Sequence, residues 1–289
     1  MTDRWQRRPR VSRVALPAAP EARDRFLVVN GLRLRYRDWG GSGQPIVVLH
    51  GSAAHAHWWD RVAPYLIPRL RVLALDWRGH GRSEWPSPPQ YRSEDFVADL
   101  LAVIERLRLE GVIVAGHSMG GHHALAFAAW HPHALERLVV VDARPMVNLK
   151  RLHELRARGA RARAEFPSRE AALRRFRLMP PETVATSGLL REVALRGITR
   201  LTSGRWVYRF DPACDGTRVP VDAWPLLPQI TVPTLIVRGE RSSVLLRETA
   251  ERMAGLIPGA RLEELPGVYH HVTLDAPEAL AAGVLAWLG

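Results

Sequence analysis

Five short, continuously apolar runs recur along this chain: Pro45-Ile-Val-Val-Leu49, Val72-Leu-Ala-Leu75, Val112-Ile-Val-Ala115, Leu138-Val-Val-Val141 and Thr234-Leu-Ile-Val237. A strand that is apolar at every position has no face to give to water, so it belongs in a parallel sheet covered on both sides. Helical patterns supply that cover at Trp58 to Leu66, Ser93 to Arg106, Gly120 to Trp130 and Leu245 to Leu256. The pattern ends with a strand from Arg261 to Leu265 and a helix from Pro277 to Leu288. At the start, Phe26-Leu-Val-Val29 and Leu32-Arg-Leu-Arg-Tyr36 flank Asn30-Gly31, the strongest two-residue hairpin signal. The expected fold class is α/β, a doubly wound, mostly parallel eight-stranded sheet with helices on both faces.

The alternation breaks between Arg144 and Pro228, where Arg-rich helical segments give way to loops punctuated by Gly204, Pro212, Gly216, Pro220 and Pro225. This predicts an insertion over residues 144–228, a mostly helical cap on a core made of 26–143 and 229–289. Residues 1–25 are rich in Arg, Pro and Ala and read as a flexible tail; their longest apolar piece, Val14-Ala-Leu16, is too short for a signal peptide.

Gly116-His117-Ser118-Met119-Gly120 lies between the third apolar run and the helical pattern Gly121 to Trp130. Small residues flanking a serine in a strand–turn–helix context allow a sharp, strained turn that lifts the hydroxyl clear of the backbone. Such a hydroxyl is a candidate nucleophile.

Composition narrows the remaining classes. The chain has 289 residues, 47% of them hydrophobic, and no apolar run near the roughly 20 residues that cross a bilayer, so no membrane span is expected. The formal charge of +12 comes almost wholly from arginine, with Lys150 the lone lysine, and is spread along the chain rather than gathered into a nucleic-acid-binding stripe. The densest basic stretch, Lys150 to Ala164, reads as a solvated helix face. A single cysteine, Cys214, excludes an internal disulfide, fits a cytoplasmic location and is expected to be inert.

These residues resemble the α/β-hydrolase fold family from about Phe26 to Gly289. Besides the serine turn, His50-Gly51-Ser52 resembles the family's H-G-x oxyanion loop, and Asp76-Trp-Arg-Gly-His-Gly-Arg-Ser83 its D-x-R-G-x-G-x-S loop. Val268-Tyr-His270, with Pro277 seven positions on, resembles the terminal G-H-x6-P element, although Tyr269 replaces the usual Gly. Gly204 to Pro212 resembles cap sequences of bacterial members.

The resemblance implies a cofactor-independent serine hydrolase for a small-molecule acyl substrate such as an ester, lactone, thioester or amide. Carbon–carbon bond cleavage, perhydrolysis and a non-catalytic ligand-binding role on the same fold remain as alternatives. An aspartate at the serine position would be needed for the dehalogenases and epoxide hydrolases of this fold, so Ser118 excludes them. Ser118 would be the nucleophile and His270, rather than its neighbour His271, the base. The backbone N–H groups of Met119 and Ser52 would bind the oxyanion, with His50 bracing the loop.

The acid departs from the pattern. Where relatives read R-G-x-x-S-D, this chain reads Arg238-Gly-Glu-Arg-Ser-Ser243, and a serine carries no charge to stabilise an imidazolium. Asp142, at the tip of the sixth strand, is the favoured replacement and Glu240 the alternative. Trp206, Phe210 and Trp224 are candidates to line an apolar pocket, and Arg144 to meet a substrate carboxylate. No metal site is expected; His122 and His123, adjacent on a helix, diverge too far to share one.

Overall fold

The computed structural model describes residues 21–289. The expected tail lies outside the described residues except at its end, where the first strand begins at Arg23 rather than Phe26. In chain order the elements are β1 (Arg23–Val29), β2 (Leu32–Gly40), β3 (Gln44–Leu49), α1 (Ala63–Leu66), β4 (Leu70–Leu75), α2 (Ser93–Arg106), β5 (Ile113–His117), α3 (Met119–Trp130) and β6 (Arg137–Val141). The inserted segment follows with α4 (Leu149–Gly159), β7 (Glu165–Phe166), α5 (Arg169–Arg175), α6 (Ser187–Arg196), β8 (Ile198–Arg200), β9 (Trp206–Tyr208) and α7 (Pro212–Gly216). The chain then returns through β10 (Thr234–Gly239), α8 (Arg247–Leu256), β11 (Arg261–Leu265), α9 (Val272–Asp275) and α10 (Pro277–Leu288).

Eight strands form one sheet in the order β1-β2-β4-β3-β5-β6-β10-β11. Only β2 runs against its neighbours; from β4 to β11 every pairing is parallel. The hairpin turns through Asn30 (φ 50°) and Gly31 (φ 76°), the two positive dihedrals that a type I′ turn requires.

The apolar runs are buried on both faces. Val47, Leu49, Val114, Leu138, Val140 and Ile236 point to the face packed by α2, α3 and α8. Ile46, Val48, Ile113, Ala115, Val139, Val141, Leu235 and Val237 point to the face packed by α1 and α10. Each fully buried Val, Leu or Ile contributes on the order of 1.5–3 kcal/mol, so the two layers hold the central strands rigidly. That rigidity fixes the strand tips from which the site is built.

Local chemistry sets the helix limits. In α2 the Arg92 amide bonds the Asp95 carboxylate (2.8 Å), acids occupy the first turn and Arg106 the last, all favourable to the helix dipole. The helix expected from Trp58 to Leu66 is instead a 3-10 turn over Ala56–Trp59 followed by the short α1, which starts at Ala63 with Pro64, a residue with no N–H to continue the earlier turn, in its first turn. The inserted segment is less purely helical than expected. It contains a three-stranded antiparallel sheet, β7-β9-β8, whose strands of two or three residues are too short to leave a periodic signal. No helix among the described residues is long and apolar enough to cross a membrane.

Candidate active site

Ser118 joins β5 to α3 with φ 53° and ψ −117°, a left-handed conformation for a non-glycine residue. Strain of this kind costs about 1–3 kcal/mol and persists only where the surroundings enforce it. Here the glycines allow it: a Cβ on Gly116 would lie 2.4 Å from the Gly120 carbonyl carbon, and one on Gly120 would lie 2.6 Å from the Leu49 carbonyl oxygen. The helix can therefore start hard against β3 and β5. As the first residue of α3, Met119 has a backbone N–H with no partner inside the helix.

Asp142 follows β6 with a second positive φ, 45°. Because β6 lies between β5 and β10, its tip faces both the serine turn and the loop after β10. Asp142 Oδ1 meets His270 Nδ1 at 2.8 Å, and His270 Nε2 meets Ser118 Oγ at 3.0 Å. Both side chains are almost wholly buried. The Ser242 hydroxyl donates to Asp142 Oδ1 (2.5 Å) and the Gly239 amide to Oδ2 (2.8 Å). Burial pushes the Asp142 carboxyl up to about 6 against those two bonds. Burial, then the neighbouring His271 and the charges of Arg144 and Arg151, hold His270 well below the ordinary imidazole range. At neutral pH its Nε2 is thus a free acceptor for the serine proton.

The other candidates separate clearly. Glu240 is exposed and its Oε2 accepts the Gly267 amide at 2.6 Å, whereas the carboxylate at His270 Nδ1 is that of Asp142. His271 donates Nε2–H to the Pro180 carbonyl (2.7 Å). His50 donates Nδ1–H to the Gly51 carbonyl (2.7 Å) and accepts the Trp77 amide on Nε2 (3.1 Å), which braces the loop after β3. That loop brings Gly51 and Ser52 beside Ser118: a Cβ on Gly51 would lie 3.2 Å from the Ser118 Cβ. Cys214 is buried, and burial raises its thiol to about 12.

A cavity of about 500 Å³ opens over Ser118 and His270, lined also by Ser52, Met119, Arg144, Trp58, Phe176 and Leu178. Three residues expected there are elsewhere. Trp206 pairs with Phe166 and Arg200 in the small sheet, Phe210 packs its ring on His80 (4.9 Å) and Trp224 lies under the Arg252 guanidinium (4.1 Å). Each aromatic is half-buried, Trp206 in the small sheet and Phe210 and Trp224 against the core beneath it, settings that composition cannot tell from a pocket wall. The basic run at Lys150 is also corrected. Arg151, Leu155 and Arg158, spaced i, i+4, i+7, form one face of α4 that lines the cavity, while Lys150, His153, Glu154 and Arg156 keep the solvated face that was expected.

Several contributors left little sequence signal. Arg218, from the loop after α7, is buried and donates to Ser52 Oγ (2.9 Å) and Met119 Sδ (3.1 Å) while lying 3.3 Å from Asp215, which ties the inserted segment to the two residues beside Ser118. His117 donates Nε2–H to the His270 carbonyl at 2.9 Å and so fixes the loop that carries His270. Ring nitrogens of His117, His270 and His271 lie within 4.8 Å of one another, and Nδ1 of His117 and of His271 has no hydrogen-bond partner. That group of imidazoles fits a divalent transition-metal ion, whereas His122 and His123 diverge: His122 donates to the Arg144 carbonyl (3.2 Å) and His123 stacks on Phe96 (4.4 Å).

Residues 46–283 match the model of the Alpha/beta hydrolase family. The chain is 34% identical over 251 residues to Esterase Rv0045c of Mycobacterium tuberculosis, covering 84% of this chain and 82% of that protein. It is 28% identical over 272 residues to the 2-(acetamidomethylene)succinate hydrolase of Mesorhizobium japonicum, covering 90% of this chain and 95% of that one. A solved structure of an E-2-(acetamidomethylene)succinate hydrolase superposes with a TM-score of 0.83 at 24% identity over 93% of this chain and 99% of that one, a likeness of fold. With its sheet order, its serine turn and this match across most of its length, the chain belongs to the alpha/beta hydrolase family.

Proposed function

We propose that this protein is a serine hydrolase that cleaves a carboxylic ester or a related acyl bond through an acyl-enzyme, with no cofactor. The observation that carries this reading is the unbroken chain Ser118 Oγ, His270 Nε2, His270 Nδ1, Asp142 Oδ1 at 3.0 and 2.8 Å, set on a strained turn at the floor of a cavity. The esterase and the 2-(acetamidomethylene)succinate hydrolase among the relatives support the same class.

In the mechanism that follows, Ser118 Oγ attacks the acyl carbon as its proton passes to His270 Nε2. The carbonyl π electrons move to oxygen, where the Met119 and Ser52 N–H groups are the proposed donors to the oxyanion. Asp142 holds the Nδ1–H tautomer and stabilises the imidazolium. Collapse of the tetrahedral adduct expels the leaving group, which takes the proton from Nε2. Water, deprotonated by the same imidazole, then releases the acid and regenerates Ser118. The segment 144–228 acts as a cap that shapes the acyl pocket.

A panel of acyl esters, lactones and thioesters, assayed with wild type and Ser118→Ala, tests the reading. Turnover by wild type that Ser118→Ala loses by several powers of ten is the expected result; turnover undiminished in the variant would reject it.

A further inference from the structure

The cavity over Ser118 is walled by five arginines, Arg144, Arg151, Arg158, Arg177 and Arg218, and among the described residues no aspartate or glutamate lines it. Four of these guanidinium groups are occupied. Arg158 and Arg218 share the buried Asp215, at 2.9 and 3.3 Å. Arg151 meets Glu154 at 3.1 Å, and Arg177 donates to the carbonyls of Arg174 and Phe176 at 2.8 and 2.6 Å. Arg144 differs: its guanidinium has neither an ion pair nor a hydrogen bond with any described residue, although the side chain is half-buried in the cavity wall.

Its backbone is fixed two residues beyond Asp142, and its carbonyl accepts the His122 ring N–H at 3.2 Å. The group is therefore held close to the reacting atoms, near enough for its charge to depress the proton affinity of His270. A guanidinium drawn partly out of water whose N–H groups have no acceptor in the protein is open to a ligand, and its planar fork matches a carboxylate with two parallel bonds. One unpaired cation matches a singly charged anion.

We infer that the acyl substrate carries a carboxylate, which Arg144 binds while Ser118 attacks the acyl carbon. This inference rests on the serine-hydrolase reading for its chemistry, but anion binding can be measured without turnover. The surrounding arginines favour entry of an anion, and the absence of acidic lining residues removes any competing partner for Arg144.

The kinetic test compares para-nitrophenyl hydrogen glutarate with para-nitrophenyl valerate, which differ by carboxylate against methyl at the far end of the acyl chain. Wild type should prefer the glutarate ester by about 10- to 100-fold in kcat/KM, the scale of a hydrogen-bonded charge pair. Arg144→Gln should bring that ratio toward unity, chiefly through KM, and Arg144→Lys should keep part of it. An equal rate for the two esters in wild type, or a ratio unchanged by Arg144→Gln, would overturn the inference. Calorimetry on Ser118→Ala with monomethyl glutarate and methyl valerate provides the arm free of catalysis. Binding of the acid alone, lost when Arg144→Gln is added, supports the site; equal or no binding of the two overturns it. Failure of every ester together with no labelling of Ser118 would reject the hydrolase reading, and the calorimetric result would still decide the anion site.

Discussion

Ser242 Oγ donates to Asp142 Oδ1 at 2.5 Å, the same oxygen that faces His270 Nδ1. The family pattern R-G-x-x-S-D is thus half kept. Its serine remains in place and turns to the tip of β6, where it holds a carboxylate supplied by a different strand. β6 and β10 are neighbours in parallel register, with Val141 opposite Val237, so the tip of β6 lies beside the loop after β10 and Asp142 reaches His270 from there.

The acid assignment yields a ranking. Asp142→Asn should lower kcat by roughly a thousand- to ten-thousand-fold, the scale seen when the acid of such a triad is neutralised, whereas Glu240→Gln should change it little. Ser243→Asp should recover part of the activity in the Asp142→Asn background, since Ser243 lines the same cavity. Steady-state kinetics on the four proteins checks the order, and a larger loss in Glu240→Gln would transfer the role.

Labelling tests the nucleophile directly. An organophosphonate fluoride should add once, at Ser118, and peptide mass spectrometry should find no adduct in Ser118→Ala. Folding of that variant should be preserved, because among the described residues the hydroxyl hydrogen-bonds to His270 alone.

The pH profile follows from the buried pair. Asp142 is raised to about 6 and His270 is lowered, so as pH falls the two groups take up one proton as a unit near pH 6. That proton removes the base. kcat/KM should therefore be flat above neutrality and fall tenfold per unit below about pH 6, and a profile with an inflection well above 7 would contradict this arrangement.

Metal should inhibit rather than activate. EDTA should leave turnover unchanged, while micromolar zinc ion, captured by His117, His270 and His271, should abolish most of it by occupying the imidazole proposed as base. EDTA should then restore the rate. Activity lost in EDTA and regained with zinc would reverse the reading.

Stability depends on a second buried pair. Arg35 and Asp76 meet at 2.9 Å with almost no exposure, and Asp76 also accepts the amides of Ala56 (2.6 Å) and Arg82 (2.9 Å). Asp76→Ala would leave the buried Arg35 with Asp24 as its one carboxylate and take the acceptor from the Ala56 and Arg82 amides, and should cost about 3–5 kcal/mol in urea unfolding. A loss below 1 kcal/mol, roughly that of an exposed pair, would show that water reaches the site.

What the sequence determined by itself was local. Continuous apolar runs specified strands buried on two faces, and alternating helical periods specified their cover, because burial on one face or two leaves a different period in the residues themselves. Asn30-Gly31 fixed a hairpin, α2, β11 and α10 fell within the limits read from the chain, and the glycines around Ser118 announced a turn that few other residues tolerate. The tertiary structure decided everything that depends on which strand tips are neighbours. Asp142 stands 128 residues before His270 and 100 before Ser242, and only the order β5-β6-β10 brings them together. The inserted segment was least legible: Trp206 packs in its small sheet, Phe210 and Trp224 pack onto the core, and Arg151 and Arg158 turn toward the cavity. An aromatic ring or a guanidinium satisfies either setting locally, and the choice rests on what lies across the cavity.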